Sequence, residues 1–314
     1  MNSRFEFSLD NKRYHTYNYY LKNKYDHKVA KVALDAGFTC PNRDGSKGIG
    51  GCIFCNGKGS SDFSASFRDD LLDQYREYKE KYIDPKWPDA YTIPYFQAFS
   101  NTYGPLAKIK GMIEPFLKLD EVREISLATR SDCLSKEIVD YLDSLTSNIT
   151  VWLEIGIQTS KEKTLAYINR GESFKEIKEN LKILDDTNIK VCFHLINGLP
   201  EEDKKDMLNT IRDINELRYH ALKFHTLLIL KDTPLAKIYE DKPFKLLSKE
   251  EYLDILIDQL QMIPKEIVIE RILGDIAKEE LIAPRWILNK TDFRNSLDKE
   301  MVKRDTCQGR KYER

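Results

Sequence analysis

Cys40, Cys52 and Cys55 stand at a C-x11-C-x2-C spacing within residues 38–59, "FTCPNRDGSKGIGGCIFCNGKG", a stretch built mainly of glycine and polar residues. The C-x2-C pair lets two thiolates reach one metal or one face of a cluster, and Cys40 supplies a third. A structural zinc needs four closed ligands. No fourth cysteine lies in the loop, and the nearest upstream histidines are His15 and His27. An ordinary iron–sulfur cluster is also held by four cysteines, so three would leave one iron of a four-iron cluster open to another ligand. A redox C-x2-C pair would leave Cys40 unexplained. Buried, unliganded cysteines behave as small hydrophobes and fit poorly in so polar a segment. A Cys3His zinc site and an open iron–sulfur site both stand at this point.

The elements that must hold these thiolates are legible as alternation. Apolar runs occur at 28–37 (KVAKVALDAG), 93–99 (IPYFQAF), 124–129 (EISLAT), 151–158 (VWLEIGIQ), 190–196 (KVCFHLI) and 222–230 (LKFHTLLIL). Largely continuous apolar runs are expected of parallel strands covered on both faces. Between them, stretches such as 69–82, 135–145, 173–186 and 201–217 carry apolar residues three and four apart, the helical period. Several begin with Ser or Asp, which cap a first turn. Strand–helix alternation implies repeated βαβ units on a parallel sheet. The expected fold is α/β, a partial or open (β/α)6 TIM-type barrel, with a doubly wound open sheet as the structural alternative. The chain divides into an N-terminal basic and aromatic segment (1–27), the barrel core (28–245) and a C-terminal extension (246–314). The extension holds a helical run at 248–263, a strand-like "EIVIERILG" and a basic tail.

In such barrels the chemistry lies in loops at the C-terminal ends of the strands. The cysteine loop follows the first run. "SNTYG", "TRSDC", "QTS" and "NGLPEED" follow the second to the fifth.

Taken together, these segments carry a resemblance. "GFTCPNRDGSKGIGGCIFCN", "FQAFSNTY", "ATRSDCL", "WLEIGIQTS", "INRGES", "HLINGLPEE" and "GDIAKEELIAPRWILNK" resemble the radical S-adenosylmethionine (SAM) superfamily. Within it they resemble the YtqA/YhcC-like branch, related to the coproporphyrinogen-oxidase and elongator catalytic-subunit groups. The superfamily's common spacing is C-x3-C-x2-C, and the eleven-residue first gap departs from it. The resemblance implies a radical SAM enzyme of partial-barrel fold, with a 4Fe–4S cluster on Cys40, Cys52 and Cys55 and SAM chelating the open iron. It implies that Phe54 shields the cluster and lies near the adenine. Ser100, Asn101 and Thr102 stand where relatives have a glycine-rich segment that meets the SAM amino group. Gln158 and Arg170, twelve residues apart, match SAM-binding residues of the coproporphyrinogen group, and Thr129 and Arg130 end the third strand. His194 takes the place of a ribose-binding aspartate, and Asn197 and Gly198 lie in the segment that runs along the adenine. Bland readings stand beside these: Gln158 as a helix cap, Arg170 as a surface charge, Thr129 and Arg130 as a strand-end turn, His194 as a hydrogen-bonded core histidine. Cys133 is a candidate hydrogen donor or substrate contact, or else a buried structural thiol.

The formal net charge of −1 argues against a purely electrostatic nucleic-acid binder. Residues 1–31 nevertheless carry seven Lys/Arg against three Asp/Glu, and the tail 303–314 five against two. The start has no apolar h-region and no run approaches a membrane span, so a cytoplasmic protein with no membrane partner is expected. The kinship and the basic ends motivate modification of a tRNA uridine, at the C5 side chain of the wobble base. The electron would come from a low-potential donor such as flavodoxin or ferredoxin. Radical decarboxylation of a small molecule such as a porphyrinogen is the alternative chemistry, and a zinc-stabilised RNA-binding module the non-catalytic one.

Overall fold

The computed structural model describes residues 5–8, 10–57 and 70–313. Among them, seven strands form one parallel sheet in the order β1-β2-β3-β4-β5-β6-β8. They are β1 (Val29–Leu34), β2 (Tyr91–Phe96), β3 (Glu124–Thr129), β4 (Thr150–Gln158), β5 (Lys190–Asn197), β6 (Ala221–Thr226) and β8 (Val268–Arg271). A short ribbon, β7 (Ile229–Leu230) with β9 (Leu281–Ala283), is antiparallel. The helices are α1 (Tyr17–Lys24), α2 (Leu71–Tyr78), α3 (Leu106–Ile113), α4 (Lys136–Leu145), α5 (Glu162–Tyr167), α6 (Phe174–Leu181), α7 (Lys204–Ile214), α8 (Pro234–Asp241), α9 (Lys249–Met262) and α10 (Lys290–Lys303). Ser135, Ser173, Asp203 and Ser248 cap α4, α6, α7 and α9 through their side chains, as the sequence leads one to expect.

The sheet is an open, curled barrel, one strand larger than the six units expected. The added strand is β8, drawn from the "EIVIERILG" run of the C-terminal extension. The sixth run also divides, ending as a sheet strand at Thr226 and resuming as β7. The curl is shown by contacts across the interior. Lys31 on edge strand β1 reaches Glu154 on β4 at 2.6 Å and forms an ion pair with Glu270 on the opposite edge strand β8.

The two faces of the sheet differ. Val32, Leu34, Ile125, Leu127, Leu153, Ile155, Phe193, Leu222 and Phe224 are buried in the main apolar core, beneath the helices. Alternate positions point inward, and there the chain places Lys31, Ser126, Glu154, His194, Lys223 and Glu270. The inner face is therefore polar at mid-height, which the apolar reading of the strands did not foresee.

Helix α1 closes one end. Its Tyr17 and Tyr20 pack on an interior cluster of Trp152, Cys192, Ala221 and Val268, and Leu21 packs with Val29 and Ile93. The fully buried Glu124 accepts from Lys24 Nζ at 2.7 Å, Tyr25 Oη at 2.9 Å and Trp152 Nε1 at 2.8 Å. These contacts lie at the N-terminal ends of the strands, so the interior opens at the C-terminal ends. The C-terminal tail joins the closed end. Gln308 donates its backbone N–H to the Arg13 carbonyl at 2.9 Å and accepts from His15 N–H at 2.8 Å.

Candidate active site

The cysteine loop leaves the open end of β1 and folds on itself. Backbone N–H groups of Lys47 and Gly48 donate to the Pro41 carbonyl, Gly51 N–H donates to the Asn42 carbonyl at 2.8 Å, and Asp44 and Ile49 form an antiparallel bridge. The eleven residues between Cys40 and Cys52 are thus a small hairpin. Its base holds the first and second cysteines together, which reconciles the long gap with a single site. Cys55 follows in a tight turn, its N–H donating to the Cys52 carbonyl at 2.9 Å. Ile53 ties the loop to the barrel, donating to the Ile168 carbonyl and accepting from Leu235 N–H.

All three cysteines line one cavity of about 260 Å³ at the open end of the barrel. Phe54, Ser100, Thr129, Arg130, Gln158, Arg170 and His194 line it with them. Asn101, Thr102, Asn197, Gly198 and Cys133 are not brought to its wall. Asn101 instead donates to the Phe96, Ala98 and Ala128 carbonyls, tying the ends of β2 and β3. Thr102 shares a hydrogen bond with Thr129 and donates to the Cys133 carbonyl at 2.8 Å. Asn197 forms a reciprocal amide pair with Gln259 of α9 at 2.8 and 2.9 Å, and Gly198 packs under Leu247. Cys133 is a buried thiol held protonated, first by burial and then by the charge of Asp132.

The two histidines considered as fourth metal ligands lie elsewhere. His15 stacks on Phe7 and bonds to the Glu266 carbonyl, and His27 lies against Tyr91, where β2 begins. Both belong to the closed end of the barrel. His194 and His225 line the cavity from β5 and β6, neither upstream histidine is brought to the cysteine loop, and three loop thiols fit a cluster with one open iron.

Around the thiols the electrostatics are tightly arranged. Arg130 grips Asp132 with two bonds of 2.8 Å and donates to the Arg170 carbonyl at 2.9 Å. Arg170 donates to the Gly156 carbonyl at 2.6 Å, and both guanidiniums meet the buried Glu172. Burial alone would raise the Asp132 carboxyl, but the Arg130 bonds and Lys47 bring it down to about 2. Gly156 makes room for Gln158 and Arg170: a Cβ there would lie 2.6 Å from Gln158 Nε2. Gln158 itself has φ of +69° at a bulge that ends β4, which turns its side chain into the cavity.

Below them, Glu154 is surrounded by cations and donors. Burial opposes its charge, yet Lys223 and Lys31 outweigh that and hold its carboxyl well below the usual range. His194 Nε2 lies 2.8 Å from Glu154 Oε2, and burial holds the imidazole neutral. An ionised carboxylate accepts, so Nε2 carries the proton and Nδ1 keeps a free lone pair.

The Radical SAM superfamily model matches residues 40–214, beginning at the first of the three cysteines, and the Radical SAM C-terminal domain model matches residues 219–303. YtqA of Bacillus subtilis is 42% identical over 313 residues, covering 100% of this chain and 97% of that protein. The chain belongs to the radical SAM superfamily. YhcC of Escherichia coli K12, 32% identical over 284 residues, covers 89% of both chains. Among solved structures, Methanocaldococcus infernus Elp3 with an N-terminal deletion superposes at a TM-score of 0.68 with 17% identity, covering 90% of this chain. This chain spans 64% of that one, and the likeness speaks for the fold. A radical SAM enzyme works with a 4Fe–4S cluster and SAM as a class, and this one brings three thiols to the wall of one cavity.

Several residues that line or brace this cavity escaped the sequence reading. Asn42 is fully buried and donates to the Asn169 carbonyl at 2.5 Å and towards Cys52 Sγ at 3.7 Å. Gly171, at φ +66°, would place a Cβ 2.6 Å from Asn42 Oδ1, so the glycine keeps that amide in place. Asn42 lies two residues after Cys40, but nothing local marks it. Glu154, Glu172, Lys223, His225 and Arg271 were likewise unmarked; a charged residue inside an apolar run was the available signal for Glu154 and Lys223.

Proposed function

We propose that Cys40, Cys52 and Cys55 hold the cluster, that SAM occupies the cavity beside them, and that the substrate is a tRNA whose wobble uridine is modified at its C5 side chain. The observation that carries the site assignment is the convergence of three thiols, Gln158, Arg170 and His194 on one cavity at the open end of a barrel closed below by α1. When bound, cluster and SAM together supply a 5′-deoxyadenosyl radical by one-electron cleavage of the sulfonium. The chain's residues bind and orient. Asn42 donates towards the Cys52 sulfur, and such bonds tune cluster potential. Gln158 presents its amide, and His194 presents the Nδ1 lone pair to a hydroxyl donor. The apolar side chains of Phe54, Ile196 and Leu227 exclude water from the reacting end. A low-potential donor such as flavodoxin or ferredoxin supplies the electron.

The tRNA assignment is supported by a curated relative. The tRNA uridine(34) acetyltransferase of Methanocaldococcus jannaschii is 26% identical over 173 residues, covering 52% of this chain and 31% of that protein. The basic termini do not support it, because their described residues, such as Arg13 and Gln308, lie at the closed end, away from the cavity. Enzymes that act on a base take it out of the stack, and an anticodon base could enter this cavity from the open end.

Anaerobic reconstitution tests the cofactor assignment. About four irons per chain are expected, with 5′-deoxyadenosine formed from SAM and dithionite. Cys40→Ala, Cys52→Ala and Cys55→Ala should each abolish that product; bound zinc without SAM cleavage would overturn the reading. For the substrate, nucleosides from tRNA of a strain lacking the gene should accumulate a wobble-uridine precursor. An unchanged profile would reject tRNA and leave a small-molecule substrate.

A further inference from the structure

Four guanidiniums line the cavity, Arg43, Arg130, Arg170 and Arg271, against two carboxylates, Glu154 and Asp275. The chain as a whole carries −1, so the surplus of positive charge is local. Most of these groups are committed. Lys31 and Lys223 neutralise Glu154, Arg130 and Arg170 share Glu172, and Arg43 donates to the Asn56 carbonyl at 3.1 Å.

Arg271 is held differently. It ends β8 and meets Asp275 Oδ2 at 3.4 Å, with both side chains partly exposed. The other oxygen of that carboxylate is taken by Lys290, the first residue of α10. Arg294 lies near enough to repel the Lys290 charge. One carboxylate thus serves two cations, with a third beside them. The same wall carries His225, whose Nε2 is shut off from solvent without a protein partner. Burial, and after it the neighbouring charges, disfavour protonation of that imidazole. The missing complement is an anion with several acceptor oxygens. A guanidinium fork matches an oxyanion geometrically, and a helix N-terminus adds partial positive charge.

We propose that Arg271 on the cavity wall, with Lys290, which shares its carboxylate partner, forms an oxyanion subsite for the substrate, with Asp275 as the internal anion that a bound oxyanion displaces. The inference rests on the reading of this cavity as the substrate site, and it does not require the substrate to be RNA.

The test is calorimetric titration of the anaerobically reconstituted full-length protein with inorganic phosphate at constant ionic strength. A charge-assisted hydrogen bond contributes about 1.5–3 kcal/mol, so Arg271→Met should weaken phosphate roughly 10- to 100-fold. Asp275→Asn removes the competing carboxylate and should tighten phosphate several-fold. A merely structural Asp275 would weaken it instead. Iron content per chain checks that each variant folds. No phosphate binding by the wild type, unchanged binding in Arg271→Met, or weaker binding in Asp275→Asn would each overturn the subsite. The salt dependence of tRNA binding then distinguishes the source. A slope lowered by about 0.7–0.9 in Arg271→Met assigns the oxyanion to the RNA backbone. An unchanged slope, with the phosphate effects intact, keeps the subsite, assigns its ligand to another anionic substrate and counts against the RNA reading.

Discussion

Lys223→Met should destabilise the protein severely, and Glu154→Gln should partly rescue it. The Glu154 and Lys223 side chains are 0% and 2% exposed and in direct contact. Lys31 and Glu270 complete a four-membered group of two cations and two anions. At an effective dielectric constant near 20, each close pair is attracted by about 4 kcal/mol or somewhat more, which roughly offsets the cost of burying it. Removing one member is different. Lys223→Met leaves two carboxylates facing one lysine, at a cost of about 3–5 kcal/mol. For a chain of 314 residues that is a fall in Tm of roughly 5–8 °C. Glu154→Gln alone leaves two lysines facing one carboxylate and should cost a comparable amount. The double variant restores one of each, so its loss should be smaller than the sum of the singles by several kcal/mol. Thermal and urea unfolding of the four proteins, closed as a double-mutant cycle, measures this. Additivity within about 0.5 kcal/mol would refute the view that these charges act as one group. The sign with pH follows from the depressed Glu154 carboxyl. Its contribution is present above the ordinary Glu value and is lost as the pH falls through its folded value.

Two other perturbations bear on the site and its support. Gly171→Ala places a Cβ against Asn42 Oδ1 at a positive φ; it should cost about 1–2 kcal/mol and lower iron incorporation, and full iron content with an unchanged Tm would count against Asn42 as a loop anchor. Burial raises the Glu202 carboxyl to about 7, so its own contribution to stability should be fully present below the unfolded value near 4.3 and decline as the pH rises through 7. Glu202→Gln should flatten that window in a pH series of melting curves, and an unchanged slope would remove Glu202 as its cause.

The sequence by itself determined the three-cysteine loop and the periodic elements. Cys40, Cys52 and Cys55 are marked by residue type alone. Strands β1 to β6 and helices α4, α6, α7 and α9 follow from apolar runs, helical spacing and capping residues, all of which act locally. Gln158 and Arg170 were reached through the family resemblance, and both line the cavity. What only the tertiary structure decided is how residues distant in the chain share one interior. Asn101 and Asn197 stand at strand ends as Gln158 does, yet their amides tie elements together, since a neighbouring carbonyl or Gln259 lies within reach. Arg271 and Asp275 sit in a segment that reads as an appendage, and they reach the cavity because β8 pairs with β6. The basic, aromatic start reads as a surface for polyanions, but curling of the sheet leaves an open lower end, and Tyr17, Tyr20 and Lys24 fill it. Spacing reports which way a side chain leaves its own strand or helix. Which partner it then meets depends on the curvature of the whole sheet, a property that no single segment encodes.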